Sequence, residues 1–452
     1  MTPKPKLKPH WLALCSPRTG EALAPHLQGL AWWALRFSPR VARQGEAVLV
    51  ELGASLRLFG GLKALHARVK AQAQSEFEVQ ALAWAPTSLG ALALARGGMV
   101  NGLTRPLAPL LDRLPLHVLE AVHAHQPMLA RLGCRRLGEV RALPRTALAR
   151  RFGPELLAAL DQAYDPVADA AQAHAWEQLP ETFAVALELP WRVEQADALL
   201  AHAQPLLQQM AAWLAARQSG VLRLTLAWQH DALRPRDSGE GGAIALATAA
   251  PTRDLAHLNR LLAEHLARTT LAAPAGGLRL QADEVQPLPE ASTELFLDAD
   301  GGDSAAREPL HQLLERLAAR LGPERVRQPV LQPDHRPECL QQWRPWGAAE
   351  EPRPSPDDWA NAPHPPSAQP TWLIEPPLRL AVRDDQPRHQ GPLCLLAGPQ
   401  RLAVGWWASA PNETMARRDY YLAHSPRAGL LWIYLDRRTL DAPEWYLHGV
   451  FA

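Results

Sequence analysis

The sixteen residues from Glu46 to Gly61, Glu46-Ala47-Val48-Leu49-Val50-Glu51-Leu52-Gly53-Ala54-Ser55-Leu56-Arg57-Leu58-Phe59-Gly60-Gly61, constrain this chain more than any others. Apolar residues at 48–50, 52, 56 and 58 read as a buried strand closing in a Gly-Gly turn. A short strand at 9–16 and a helix at 19–36 come before it. An amphipathic helix at 62–75 follows, in which Leu62, Leu65 and Val69 alternate with His66, Arg68 and Lys70. Ala81–Ala85 reads as a further strand, and Pro86-Thr87-Ser88 as the cap of a helix at 88–96. This alternation of strands and helices predicts an α/β sandwich.

A chain of 452 residues, 47% apolar and 21% charged, is long enough for several domains, each with a core. Its formal net charge of +1 gives no global attraction to a polyanion, so any such site must be a local patch. No stretch reaches membrane-span length, and the basic N-terminus leads into no long apolar run. A cytoplasmic protein is expected. Cys15, Cys134, Cys339 and Cys394 are scattered without a Cys-x-x-Cys pair, which predicts free thiols, no metal and no cofactor.

That local patch lies at 131–151, within a helical region at 107–165. Arginines 131, 135, 136, 141, 145, 150 and 151 face a single acid, Glu139, around the turns at Gly133 and Gly138. Arginines beside helix starts, whose backbone N–H groups attract anions, predict phosphate contact. His123 and His125, two apart on a helix, point to different faces and form no metal site. Residues 181–289 then follow the order β-α-β-β-α-β. This predicts a four-stranded antiparallel sheet with two helices on one face and the other face open, with Arg223 on or near it. Past a polar tether carrying Leu295-Phe296 come a helix at 306–321, a Pro-rich linker at 345–370, and a tail at 371–452. The tail's strand-length aromatic segments read as a small all-β module.

Taken in order, these pieces resemble the Y-family translesion polymerases, and more closely their ImuB-type, polymerase-like branch. The resemblance rests on Ser55–Gly61, Leu132-Gly133 through Phe152-Gly153, Asp334-His335-Arg336-Pro337-Glu338, Arg418-Asp419-Tyr420-Tyr421, and Trp445 to Ala452. It implies a palm with reduced fingers at 1–106 and a helical, helix-hairpin-helix-like thumb at 107–178. A little-finger-like DNA-binding domain would follow at 179–290, a clamp-peptide and helical connector at 291–344, a linker at 345–370, and a β-rich interaction module at 371–452. The DNA contacts it implies are Arg131, Gly133, Arg135, Arg136, Gly138, Arg145, Arg150, Arg151 and Arg223. The sliding-clamp peptide of the family aligns with Ser292-Thr293-Glu294-Leu295-Phe296, which keeps the two apolar anchors and lacks the leading Gln.

The departures from the family pattern concern its chemistry. Aligned on Leu58-Phe59-Gly60, the family's catalytic carboxylates fall on Glu46, Ala47 and Glu51, and Leu12 to Ser16 contain no acid. Two metal ions about 3.5–4 Å apart need several converging carboxylates, which this set does not supply. The expectation is therefore a non-catalytic adaptor of damage-induced translesion synthesis. By resemblance it binds damaged primer–template DNA and the sliding clamp, and recruits an error-prone DnaE2-type polymerase and an ImuA-type, RecA-like partner. The competing readings are an active Y-family polymerase with rearranged metal ligands, and an unrelated DNA-repair module whose tail does the work.

Overall fold

The computed structural model describes residues 9–233, 238–288, 310–332, 334–346, 369–404, 416–437 and 444–451. The chain divides into two compact units, 1–320 and 321–452.

The first unit opens with an antiparallel four-stranded sheet ordered β2-β3-β1-β4. Its strands are β1 (Trp11–Cys15), β2 (Val41–Gln44), β3 (Ala47–Glu51) and β4 (Ala81–Ala85). Side chains alternate between its faces, as the pleat requires. Leu12, Leu14, Val48 and Val50 meet α1 (Leu23–Leu35) and α2 (Leu62–Phe77), while Ala13, Cys15, Ala47 and Leu49 meet α3 (Ser88–Arg96). Both faces are covered, which explains why β1 and β3 read as unbroken apolar runs.

The organising stretch is shorter as a strand than its apolar pattern suggests. The strand ends at Glu51, residues 53–60 form turns, and Leu58 is 83% exposed. The positive φ at Gly60 and Gly61 supplies the turn into α2. The cap expected from Thr87 is also replaced. Its hydroxyl donates to the Ala163 carbonyl at 2.7 Å, tying the start of α3 to the helical region instead of to its own first turn.

That region contains α4 (Leu107–Leu111), α5 (Glu120–His123), α6 (Gln126–Arg131), α7 (Leu137–Arg141), α8 (Arg145–Phe152), α9 (Pro154–Tyr164) and α10 (Pro166–Ala170). Its buried leucines share one core with α3 and the α3 side of the sheet. A second antiparallel sheet, ordered β5-β8-β6-β7, comprises β5 (Ala184–Val193), β6 (Ser219–His230), β7 (Gly241–Thr252) and β8 (Ala275–Pro287). Helices α11 (Leu199–Ala216) and α12 (Leu255–Leu266) cover one face, where Leu224, Leu226 and Trp228 are buried. Arg223, Thr225, Ala227 and Gln229 alternate with them and face outward. The β-α-β-β-α-β order read from the sequence is the one observed.

Helix α13 (Leu310–Leu321) packs onto this second sheet domain through a buried side chain. Glu315 accepts from the Ala249 backbone N–H at 2.7 Å and lies 2.5 Å from His257 Nε2, both side chains being at most 3% exposed.

The second unit is built of strands. A hairpin of β9 (Arg327–Leu331) and β10 (Gln341–Pro345) precedes β11 (Trp372–Arg379), the small pair β12 (Ala381–Arg383) and β13 (Gln386–Arg388), and β14 (Cys394–Val404), β15 (Ala416–Ser425), β16 (Gly429–Asp436) and β17 (Glu444–Val450). Five of them form one antiparallel sheet, β11-β17-β16-β15-β14. The sequence places the start of the tail module at 371, whereas this unit begins at Leu321 and takes in the β9–β10 hairpin.

Candidate nucleic-acid interface

The position where the resemblance aligns catalytic carboxylates lies where β1 ends beside the start of β3. Cys15 pairs with Ala47 across the ladder, and the Ser16 N–H donates to the Glu46 carbonyl at 2.9 Å. Glu46 is the acid at this point, and Arg96, the last residue of α3, binds both of its oxygens. Arg96 Nε donates to Oε1 at 2.7 Å and Nη2 to Oε2 at 2.8 Å, while Nη1 donates to the Val118 carbonyl at 2.8 Å. These hydrogen bonds hold the Glu46 carboxyl below the usual carboxylate range. Neighbouring Cys15 is pushed up to about 11, first by burial and then by the Glu46 charge, so it is a neutral thiol at physiological pH. Ala47 is fully buried. Glu51 sits four residues along β3. Its carboxylate accepts from the Gly53 and His10 backbone N–H groups at 2.8 and 3.4 Å and faces Arg40 at 3.4 Å. Each acid is thus committed to a partner of its own, at opposite ends of one strand.

Sequence reasoning misses Arg96. The available signal is a lone base closing an otherwise apolar helix, Leu89-Gly90-Ala91-Leu92-Ala93-Leu94-Ala95-Arg96.

The arginines of 131–151 divide into two groups. Arg141 forms a two-pronged pair with Asp112, at 3.0 and 2.7 Å, and lies over the Tyr164 ring at 4.8 Å. Arg145 does the same with Asp161, at 2.7 and 2.6 Å. Arg131, Arg135, Arg136, Arg150 and Arg151 are exposed, and their guanidinium groups have no acidic partner among the described residues. The start of α7, read from sequence as a backbone anion site, is filled from within. The Glu139 carboxylate accepts from the N–H groups of Arg135 and Arg136 at 2.5 and 3.0 Å, and these bonds lower its pKa. Gly133 takes a φ of +84° in the turn. Gly138 serves close packing, since a Cβ there would lie 2.7 Å from Asp112 Cβ. The capacity for phosphate contact therefore rests on the five guanidinium groups. Arg223, on the second sheet's open face, lies 3.5 Å from Glu284 and is 68% exposed at its side chain.

His123 bonds Gln126 at 2.7 Å and His125 meets the Phe152 ring edge-on at 5.4 Å, so they address different neighbours. Among the described residues no group of three or more His, Cys, Asp or Glu could hold a metal ion, and no helix is long and apolar enough to cross a membrane. Residues 292–296 and most of 345–370 lie outside the described residues.

In the second unit the motif Asp334–Glu338 has a packing role. Arg336 is clasped by Asp334 at 2.7–3.1 Å, and Glu338 pairs with Arg418 at 2.8 Å. Arg418 donates to the Tyr420 hydroxyl at 3.1 Å, and that hydroxyl lies 2.8 Å from Nδ1 of fully buried His448. Burial lowers His448 to about 4. The aromatics Tyr420, Trp432 and Tyr434 are core residues around this network.

Fold and site together define a mixed α/β protein with an arginine-rich helical region and a carboxylate position closed by an arginine. Along nearly its whole length the chain is ImuB-like. It is 29% identical over 455 residues to Protein ImuB of Caulobacter vibrioides in each of two strains (NA1000 / CB15N and ATCC 19089 / CIP 103742 / CB 15), an overlap of 94% of this chain and 93% of the relative. No family model matches. Looser likenesses to solved DNA polymerase structures are found as well. The insertion ternary complex of Dbh DNA polymerase is 14% identical, over 58% of this chain and 76% of that one, with a TM-score of 0.26. DinB from Sulfolobus solfataricus is 13% identical, over 59% and 77%, with a TM-score of 0.26.

Proposed function

We propose that this protein is a non-catalytic, DNA-binding adaptor in damage-induced translesion synthesis and mutagenesis. The reading is carried by Glu46, the one acid where β1 meets β3, whose two oxygens are both engaged by Arg96. A two-metal site needs converging, uncommitted carboxylates, and here the neighbouring strand offers a neutral thiol and Ala47 a methyl group. The first unit then acts as a scaffold. It presents Arg131, Arg135, Arg136, Arg150 and Arg151 to DNA phosphates, and Arg223, on the second sheet's open face, is available to a nucleic-acid strand other than that duplex.

The remaining assignments rest on the resemblance. Residues 292–296 contact the sliding clamp through Leu295 and Phe296, and the strand-built second unit recruits a DnaE2-type polymerase and an ImuA-type, RecA-like partner. The sequence likeness to Protein ImuB supports this placement.

Primer extension with magnesium, run beside a DNA-binding measurement on the same sample, tests the reading. Binding without synthesis is expected. Magnesium-dependent extension abolished by Glu46→Ala overturns it in favour of an active polymerase with rearranged ligands. For the clamp contact, Leu295→Ala with Phe296→Ala should abolish retention on immobilised clamp, and unchanged retention removes that assignment.

A further inference from the structure

The arginine set and the open sheet face offer two grips for one DNA, yet the first sheet lies between them. Its residues divide cleanly: Leu12, Leu14, Val48 and Val50 share a core with α1, α2, α11 and α12, whereas Ala13, Cys15, Ala47 and Leu49 share one with α3 and helices α4 to α9. The second sheet domain and the helical region are therefore stacked on opposite faces of the first sheet. Going outward from that sheet, one meets α1, then α11, then the second sheet, and only then its open face. At roughly 10 Å per packed layer, the open face lies roughly 30 Å from the first sheet and looks away from it. That is about three times the Debye length at 0.1 M salt.

The joint between the layers is built as a core. Helix α11 buries Leu199, Ala203, Leu206, Leu207, Met210 and Leu214 between the layers, while Ala201, Gln204 and Pro205 face solvent. Gly29 of α1 lets it approach, since a Cβ at that position would lie 3.0 Å from Gln209 Cγ and 3.2 Å from Phe77 Cε1. Gln209 is itself only 3% exposed. The connecting segment after α10 is bound as well. Trp176 bridges to Ala42 of β2 and stacks on Trp11 at 6.2 Å and 13°. The Glu177 N–H donates to the Val41 carbonyl at 2.8 Å, and its carboxylate takes Arg43 at 2.5 Å and Gln28 at 3.4 Å. A connector serving as a swinging tether would leave such groups to water.

We infer that the second sheet domain is a fixed layer of the first unit, and that a duplex is bound on one side only, by the arginines of the helical region, without being clasped by the open sheet face. This rests on the DNA-binding reading above and specifies its geometry. The open face is also not a basic surface, since Arg223 and Arg279 are outnumbered by Glu188, Asp283 and Glu284 among alanines and glycines.

The test locks the joint. In a background carrying Cys339→Ser and Cys394→Ser, Gly29→Cys with Gln209→Cys places two thiols across the α1–α11 contact. The 3.0 and 3.7 Å spacings from position 29 to Gln209 Cγ and Cα suit the Cβ–Cβ separation of about 3.5–4.5 Å that a disulfide needs. The expected result is spontaneous cross-linking on oxidation and an affinity for a short duplex that changes less than twofold between the oxidised and reduced forms. Failure to cross-link in protein that melts cooperatively, or a tenfold loss on oxidation that reductant restores, overturns the inference. Hydrogen exchange on the unmodified chain tests the same joint without substitutions. Protection over 23–35 and 199–216 should not change when duplex is added, and a loss of protection shows undocking. Reversing Arg150 and Arg151 to Glu separates the two ideas. If it weakens DNA binding while locking also does, the fixed layer alone fails. If it leaves binding unchanged in both locked and reduced protein, the DNA reading fails with it.

Discussion

Salt dependence turns the division of the arginines into a measurable quantity. Each phosphate neutralised contributes about 0.9 to the slope of log affinity against log salt for B-DNA, so the five unpaired arginines predict a slope of about −4.5. Between 50 and 200 mM salt this amounts to a loss of about 500-fold. Arg150→Ala with Arg151→Ala removes two contacts, and the slope should flatten by about 1.8. Arg141 and Arg145 are committed to Asp112 and Asp161 through paired hydrogen bonds of 2.6–3.0 Å. Taking either to DNA means first breaking a two-pronged carboxylate contact. Arg141→Ala with Arg145→Ala should therefore change the slope by less than about 0.5, although it removes the same formal charge. Fluorescence anisotropy on a 20-bp duplex across a salt series reads both numbers. Equal flattening by the two pairs would refute the division, because only net charge would then matter. An unchanged slope in the Arg150/Arg151 variant would remove the helical region from DNA binding altogether.

The remaining predictions concern buried and half-buried acids. Arg96→Ala should cost about 1–2 kcal/mol in urea unfolding, a figure lowered for solvent screening because the Glu46 side chain is 39% exposed. The pH dependence has a defined sign. The folded carboxyl of Glu46 lies below its ordinary value of 4.5, so its contribution is present above that value and is lost as pH falls through the depressed folded pKa. The stability gap between the native protein and Glu46→Gln should accordingly close on acidification, and a gap that widens would contradict the pairing. Glu315→Ala leaves fully buried His257 without its partner and the Ala249 N–H without its acceptor. It should destabilise the first unit by about 2–4 kcal/mol and free α13, read as proteolytic cleavage within 310–321. Resistance like that of the native chain would show that α13 is held by its leucines alone.

What is legible in the sequence and what is not follow one physical line. The β-α-β-β-α-β order is legible because alternation along 220–228 and the long apolar helices on either side are local patterns. The strand at 48–58 reads too long for a related reason. Leu56 and Leu58 continue the apolar run, but whether a leucine is buried depends on what packs over it, and Leu58 is left exposed. At the carboxylate position the sequence shows that acids are few, not that Arg96, fifty residues away, closes on the one that remains. The same holds for the arginines: seven are legible as a patch, but the loss of two to Asp112 and Asp161 is a tertiary fact. Gly133 and Gly138 read as an anion turn on residue type, while the space around Gly138 and the carboxylate of Glu139 assign them to packing and capping.

The Glu46–Arg96 pair and the α1–α11 joint reinforce each other. A polymerase must open and close on its substrate, so its metal site has to stay vacant and its DNA-binding domains mobile. Here a guanidinium fills the carboxylate position, and a continuous apolar core joins the second sheet domain to the first sheet. Both features give rigidity at positions where a turnover cycle would need motion. A scaffold has the opposite requirement, since it gains nothing from moving its own layers. Both features support the proposed scaffold role over a turnover cycle. Restoring an acid near β1 should therefore not restore synthesis: Cys15→Asp would bury a second carboxylate beside an occupied one. Its expected outcome is lower stability with no extension product, and magnesium-dependent extension by Cys15→Asp would show that the joint still moves and that only the ligand was missing.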